Sequence, residues 1–274
     1  MLAQVSISQW TGRRYDKAVS QEVEKAHAAR DAGRFNKMLV DKALLDPIAK
    51  LAGEIRQYHY DKTLPWSNDG ARLLPSKLFM DYSTWLRNHR DKFNTLVRDL
   101  VSKYPTEVQA ARQRLGTMYN PEDYPDPSEI GRKFAIEVEF VPVPDARDFR
   151  VEVTNEVADE IRESITKAVE ARQAQAIKDC YRRAYDVVSK IHERLSDPKA
   201  IFKDSLIENA RDLADVLPSL NILDDPRLTV LQADIERLTR HTPRTLRNAS
   251  WTRAEVAGIA GEILANTTWL HQTN

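Results

Sequence analysis

Along most of this chain the apolar residues recur three or four positions apart, the spacing of one face of an α-helix. The longest such stripe is Val157, Ile161, Ile165, Ala168, Ile177, Cys180, Ala184, Val187, Ile191 and Leu195. It predicts one helix from Asn155 to Leu195, roughly 60 Å long at 1.5 Å per residue. Between Glu170 and Asp179 the stripe thins to alanines among Arg172, Gln173, Gln175 and Lys178, so the middle has little apolar area to bury. The helix is therefore expected to be held at its two ends, by a sheet at its start and by later helices at its finish. Arg172 and Gln175 then lie on an open middle that suits a partner. A second seam, Phe79, Tyr82, Leu86, His89, Phe93, Leu96 and Leu100, alternates steps of three and four as a coiled coil does. The two helices are expected to form an elongated stalk, within one chain or between chains. Phe79, Tyr82, Leu86, His89 and Phe93 are its candidate interface, with His89 as a polar register-setter.

Elsewhere the period changes to two. Val5 to Trp10 alternates as a short strand does, and so do Phe134, Ile136, Val138 and Phe140. A turn over Pro142 to Asp148 leads to Phe149, Val151 and Val153, completing a hairpin to which the first strand can add a third. Punctuation residues mark the remaining helices. One is expected from Lys17 to Leu45 with a break near Gly33, a new one from Asp46-Pro47 to Tyr60, and one capped by Ser76 and stopped at Tyr104-Pro105. Thr106 to Met118 is a further helix. Later ones open at Asp197-Pro198, at Asp225-Pro226 and at the capping box Thr252-Arg-Ala-Glu255. The loop Thr63 to Pro75 is rich enough in apolar residues to fold down onto the body. The fold expected is mainly α (α+β): an elongated helical bundle or coiled coil, with a small antiparallel β-hairpin or three-stranded sheet feeding one very long helix. Its domains are 1–120, a helical region with a short first strand; 132–240, hairpin, long helix and packing helices; and 241–274, a basic linker and last helix.

Composition narrows the chemistry. The 274 residues hold 41 basic and 41 acidic side chains, 42% hydrophobic residues and only 8 glycines, a balance suited to long solvated helices and unsuited to a glycine-rich nucleotide fold. Net neutrality removes any general attraction to nucleic acid. The single cysteine, Cys180, falls on the apolar stripe and reads as a buried thiol. No apolar run is long enough to span a membrane and Met1 to Trp10 is not a signal peptide, so a cytoplasmic protein is expected. Glu137, Glu139 and Glu152 can gather on one sheet face, but without the accompanying aspartate and lysine of a metal-dependent nuclease they read as a solvated face. The six histidines form no ligand pair, and no phosphate loop, dinucleotide fingerprint or nucleophile elbow occurs. No catalytic residue, metal or cofactor is assigned. The one charge asymmetry is Arg237, Arg240, Arg244, Arg247 and Arg253, with Trp251 as a stacking platform and no acidic residue between the outer two. Arg13 and Arg14, beside Trp10, extend this candidate nucleic-acid surface if the termini meet.

Four stretches taken together, Ser8-Gln-Trp-Thr-Gly-Arg13, Thr63-Leu-Pro-Trp with Asp69-Gly-Ala-Arg-Leu-Leu-Pro75, Val141-Pro-Val-Pro with Asp148-Phe-Arg150, and Glu193-Arg-Leu-Ser-Asp-Pro with Phe202-Lys-Asp-Ser-Leu206, resemble uncharacterised proteins of bacteriophage and prophage genomes. The resemblance reaches to about Leu238 and carries no catalytic assignment. It implies a phage origin, a place in the cytoplasm of an infected bacterium and, more distantly, an AAA+ ATPase neighbour. The function expected is a non-enzymatic phage protein that self-associates as an adaptor or scaffold, with a phage or host protein as partner. The alternative is a DNA-binding protein of phage replication or recombination that uses Arg237 to Arg253.

Overall fold

The computed structural model of the protein describes residues 1–27, 30, 31, 33–146 and 155–267. In chain order the strands are β1 (Leu2–Ser8), β2 (Arg13–Tyr15), β3 (Asn36–Met38), β4 (Leu64–Pro65), β5 (Arg72–Leu73) and β6 (Ala135–Val141). The helices are α1 (Lys17–Ala26), α2 (Lys42–Lys62), α3 (Phe79–Leu115), α4 (Pro127–Ile130), α5 (Asn155–Ser196), α6 (Ser205–Leu220), α7 (Pro226–Leu238), α8 (Pro243–Asn248) and α9 (Ser250–Asn266). One sheet has the order β4-β5-β1-β6, with β5 antiparallel to both β1 and β4, and β2 pairs antiparallel with β3 in a separate ribbon. The protein is mainly helical with a small antiparallel sheet, and α5 is 42 residues long, as its stripe predicts. The first strand does lie beside Ala135–Val141. The strand expected at Phe149, Val151 and Val153 lies outside the described residues, as does Glu152.

The chain divides into two compact units: Met1–Gln4, His59–Met80 and Glu139–Asn274 form one, Val5–Tyr58 and Asp81–Val138 the other. In the first, α5 is the spine. Its buried residues Ala176, Ile177, Cys180, Tyr181, Ala184, Val188, Ile191 and Leu195 join a core with Phe202 from the turn after it, with Ala210, Leu217, Leu231, Ile235, Val256, Ala260 and Ile263 from later helices, and with Leu64 and Trp66. From Asp159 to Gln175 no α5 residue is buried, so the open stretch is the first half of the helix; of the middle expected to be open, Glu170 to Gln175 is, but Ala176, Ile177 and Asp179 are buried because the core reaches back to them. β4 lies against the third quarter of α5, where the Arg183 guanidinium donates to Thr63 O at 2.7 Å and Asp61 O at 3.3 Å and is held by Asp179 at 2.7 Å. Arg72 Nε donates to Thr63 Oγ1 at 2.7 Å from the other side. These guanidiniums answer the free carbonyls where α2 ends.

The second unit departs furthest from the sequence expectations. α3 runs 37 residues straight through Pro105 to Leu115, because the buried stripe Val97, Leu100, Tyr104, Ala111 and Leu115 continues past it. Tyr104 further donates its hydroxyl to Pro125 O at 3.0 Å. The lost hydrogen bond costs less than breaking that stripe would. Where one helix was expected from Lys17 to Leu45, α1 ends at Ala26 and the chain returns as β3 to pair with β2. α2 begins before Pro47, with Asp41 and not Asp46 accepting from a helical N–H, that of Ala43 at 2.8 Å. Gly12 sits at φ +63 at the entry to the ribbon, its carbonyl taking the N–H of Leu39 at 2.7 Å.

Two of the expected helix starts in the first unit also move. The Asp197 carboxylate accepts from Lys199 N at 2.9 Å in a turn, and α6 opens at Ser205. α9 opens at Ser250 with Ala249 at its cap and no side-chain bond there, so Thr252 to Glu255 is not a capping box; Thr242 caps the short α8 instead. Asp225-Pro226 behaves as expected, with Asp225 accepting from Arg227 N at 3.0 Å.

Candidate partner site at the end of the long helix

The arginine segment from Arg237 to Arg253 divides into a structural half and an open half. Arg253, on the first turn of α9, is only 8% exposed. Its Nε donates to Leu195 O at 3.2 Å, and its Nη2 to Arg194 O at 2.7 Å, Asp197 O at 2.5 Å and Ala200 O at 2.8 Å. A planar fork with fixed donors suits a frayed helix end, whose last carbonyls have no partners of their own. Arg247 donates to Phe202 O at 3.1 Å and pairs with Asp204. Both guanidiniums lie over the Phe202 ring, at 5.0 Å for Arg247 and 5.5 Å for Arg253. These two residues, expected to meet nucleic acid, instead lock the turn between α5 and α6.

Arg237 pairs with Asp234 at 3.2 Å. Arg240 and Arg244 are exposed and enter no ion pair among the described residues. Arg211, which the sequence offered no reason to notice, donates to Thr239 O at 2.7 Å and His241 O at 3.2 Å, doing for α7 what Arg253 does for α5. Arg13 and Arg14 belong to the other unit, where Arg14 pairs with Asp123 at 3.4 Å and Trp10 meets the edge of Tyr104.

The locked turn presents two large apolar side chains outward. Ile201 is 91% exposed and precedes the buried Phe202; Trp251 is 75% exposed and lies two residues before the buried Arg253. Arg247 and Arg253 also line a cavity of about 440 Å³, with His192, Ser196, Pro198 and Ser250 among others. His192 Nδ1 lies 2.9 Å from Ala257 O, and a Cβ on Gly261 would come within 3.1 Å of its ring, so α5 and α9 cross closely here. Anchored residues on both sides fix where Ile201 and Trp251 point, which lowers the ordering cost of burying them against a partner.

The interface expected along the α3 seam is largely used up within the chain. Tyr82, Leu86 and Phe93 are buried, and Phe93 meets Phe134 edge-on. His89 stacks on Trp85 at 3.5 Å, with its Nδ1 2.8 Å from the Trp85 carbonyl, and Trp85 stacks in turn on Tyr58. Phe79 meets Phe140 edge-on within the first unit. Within the first unit the buried face of α5 is met by α6, α7, α9 and β4. Arg172 and Gln175 are exposed, Arg172 lying 5.6 Å over Trp66 at a pocket of about 340 Å³ with Gln4, Asp69 and Glu139. Glu137 and Glu139 remain on β6, and no group of three His, Cys, Asp or Glu suited to a metal ion occurs among the described residues. No described helix is long and apolar enough to cross a membrane.

Cys180 is buried, its Sγ 3.8 Å from Leu220 O, and burial pushes the thiol up to about 12. Comparison with protein-family models, curated proteins and solved structures gives no match for this chain.

Proposed function

We propose that the chain is a non-enzymatic, self-associating adaptor or scaffold, and that the exposed Ile201 and Trp251, each next to an anchored residue, are where a partner docks. The supporting observation is the contrast in burial across a few residues: Phe202 and Arg253 are anchored while Ile201 and Trp251 stand at 91% and 75% exposure. Covering both would contribute about 1.5–3 kcal/mol each, and tryptophan flanked by arginine is the composition of an interface hot spot. Its phage origin, cytoplasmic setting and a possible AAA+ ATPase partner belong to this proposal on the strength of the resemblance in the junction motifs alone. Sedimentation at micromolar concentration tests the self-association. An oligomer that dissociates on Ile201→Asp with Trp251→Ala is the expected result, and a wild-type monomer defeats the proposal.

A second reading, DNA binding through the segment Arg237 to Arg253, is favoured by the exposure of Arg240, Arg244 and Trp251. It predicts salt-sensitive binding of duplex or single-stranded DNA that is lost on Arg240→Ser with Arg244→Ser. Indifference to DNA at low salt removes it.

A further inference from the structure

The β2–β3 ribbon sorts its charges by face. In its register Arg14 stands opposite Lys37, Arg13 opposite Met38 and Tyr15 opposite Asn36. Lys37 is buried beneath the ribbon among carboxylates, while Arg14 opposite it stays 64% exposed and only its tip reaches them. Lys37 Nζ lies 2.7 Å from Asp123 and 3.1 Å from Asp16 and donates to Met118 O at 2.8 Å, while Arg14 reaches Asp123 at 3.4 Å. Burial opposes the Lys37 charge, but the two carboxylates outweigh it and hold the ammonium above its ordinary value. Asp16 and Asp123 are thus both paired beneath the ribbon.

Strand alternation places Arg13 and Tyr15 on the other face, with Asn36 and Met38 across from them. Tyr15 is 47% exposed, and the Arg34 guanidinium stands 6.0 Å from the centre of its ring. Arg13, Tyr15, Arg34, Asn36 and Met38 include no acidic residue. In the loop before β3 the charges of Arg30 and Asp31 offset each other, and the Asp31 N–H donates to Glu24. The ribbon is held in place from beneath: Asp16 N donates to Phe35 O at 3.0 Å and Phe35 N to Ser20 Oγ at 3.0 Å.

We propose that this outer face binds single-stranded nucleic acid, with a base stacking on Tyr15 and with Arg13 and Arg34 contacting the flanking phosphates. Two guanidiniums alone would suit any polyanion, but a half-exposed phenol between them adds a platform that only an unpaired base can use. In a duplex the bases are stacked on one another, so the ring would have nothing to meet. This site lies in the other unit from Ile201 and Trp251, and it stands or falls separately from the adaptor reading.

Fluorescence anisotropy of the full chain with a labelled thymidine 20-mer tests it. Two phosphate contacts to a single strand give a salt slope of about −1.4, so affinity should fall about sevenfold between 50 and 200 mM salt. Tyr15→Ala should weaken binding about tenfold or more and Tyr15→Phe should not. Arg34→Ser should weaken it and reduce the slope by about 0.7. Trp251→Ala and the Arg240→Ser, Arg244→Ser pair should leave it unchanged. These side chains are exposed, and circular dichroism checks that the variants stay folded. Absence of binding at 50 mM salt, equal affinity of Tyr15→Ala, displacement by polyglutamate as effective as by the oligonucleotide, or loss of binding in the Arg240 and Arg244 variant would each overturn the proposal.

Discussion

Arg253→Ala removes the group on which the end of the long helix converges. Four carbonyls lose a charged donor: those of Arg194, Leu195, Asp197 and Ala200. Arg194 and Asp197 are exposed, so their carbonyls can turn to water at small cost; Leu195 is buried and Ala200 half-buried. Hydrogen bonds to a charged group contribute about 1.5–3 kcal/mol each. Relief from burying the guanidinium returns part of that sum, so the net loss should be about 3–4 kcal/mol. Arg253→Lys keeps the charge but cannot fork, and should lose about 2 kcal/mol. Urea unfolding followed by circular dichroism measures this, as a lower midpoint at unchanged slope for the unit that holds α5 to α9. In a heat scan the alanine variant should melt about 10 °C lower. A loss below about 1 kcal/mol, the level of an exposed surface ion pair, would refute the idea that this residue closes the helix end.

Three further predictions follow from single residues. Burial, and to a lesser degree Arg72, pulls His59 down from an ordinary 6.5 to about 4, so the unfolded chain takes up its proton first as pH falls. The His59 contribution should therefore lower stability between about pH 6.5 and 4 by up to about 3 kcal/mol and end there, and His59→Gln should abolish that part of the slope in urea titrations. The carboxylates of Asp16 and Asp225, held below their ordinary 3.8, act only at lower pH, so a slope that survives in the variant would contradict the assignment. Gly12→Ala puts a Cβ 2.6 Å from Leu45 Cδ1 at a positive φ and should cost about 2 kcal/mol, whereas Gly53→Ala, in open space inside α2, should gain about 0.5–1 kcal/mol; opposite urea midpoint shifts are the check. Cys180 should ignore thiol reagents until the protein unfolds, and rapid labelling of the native protein would show that its burial has been misread.

Some of this architecture is legible one residue at a time. The α5 stripe, the Asp225-Pro226 start of α7 and the buried thiol all follow from local spacing, because a helical face or a cap is decided within one or two turns. Other features could be read only with the chain folded. Pro105 fails to end α3 because distant residues bury its stripe, a gain no local propensity contains. Asn36–Met38 is a strand because Arg13–Tyr15 pairs with it across an intervening helix. The arginines show the division most clearly. In the sequence Arg240, Arg244, Arg247 and Arg253 form one basic run. In the structure Arg253 and Arg247 fasten the turn after α5 while Arg240 and Arg244 face solvent, because what a guanidinium does depends on which carbonyls lie within its reach. Period and punctuation settle which segments are helical. Long-range packing settles where those helices end, which charges are spent on holding them, and which side chains remain at the surface to meet a partner.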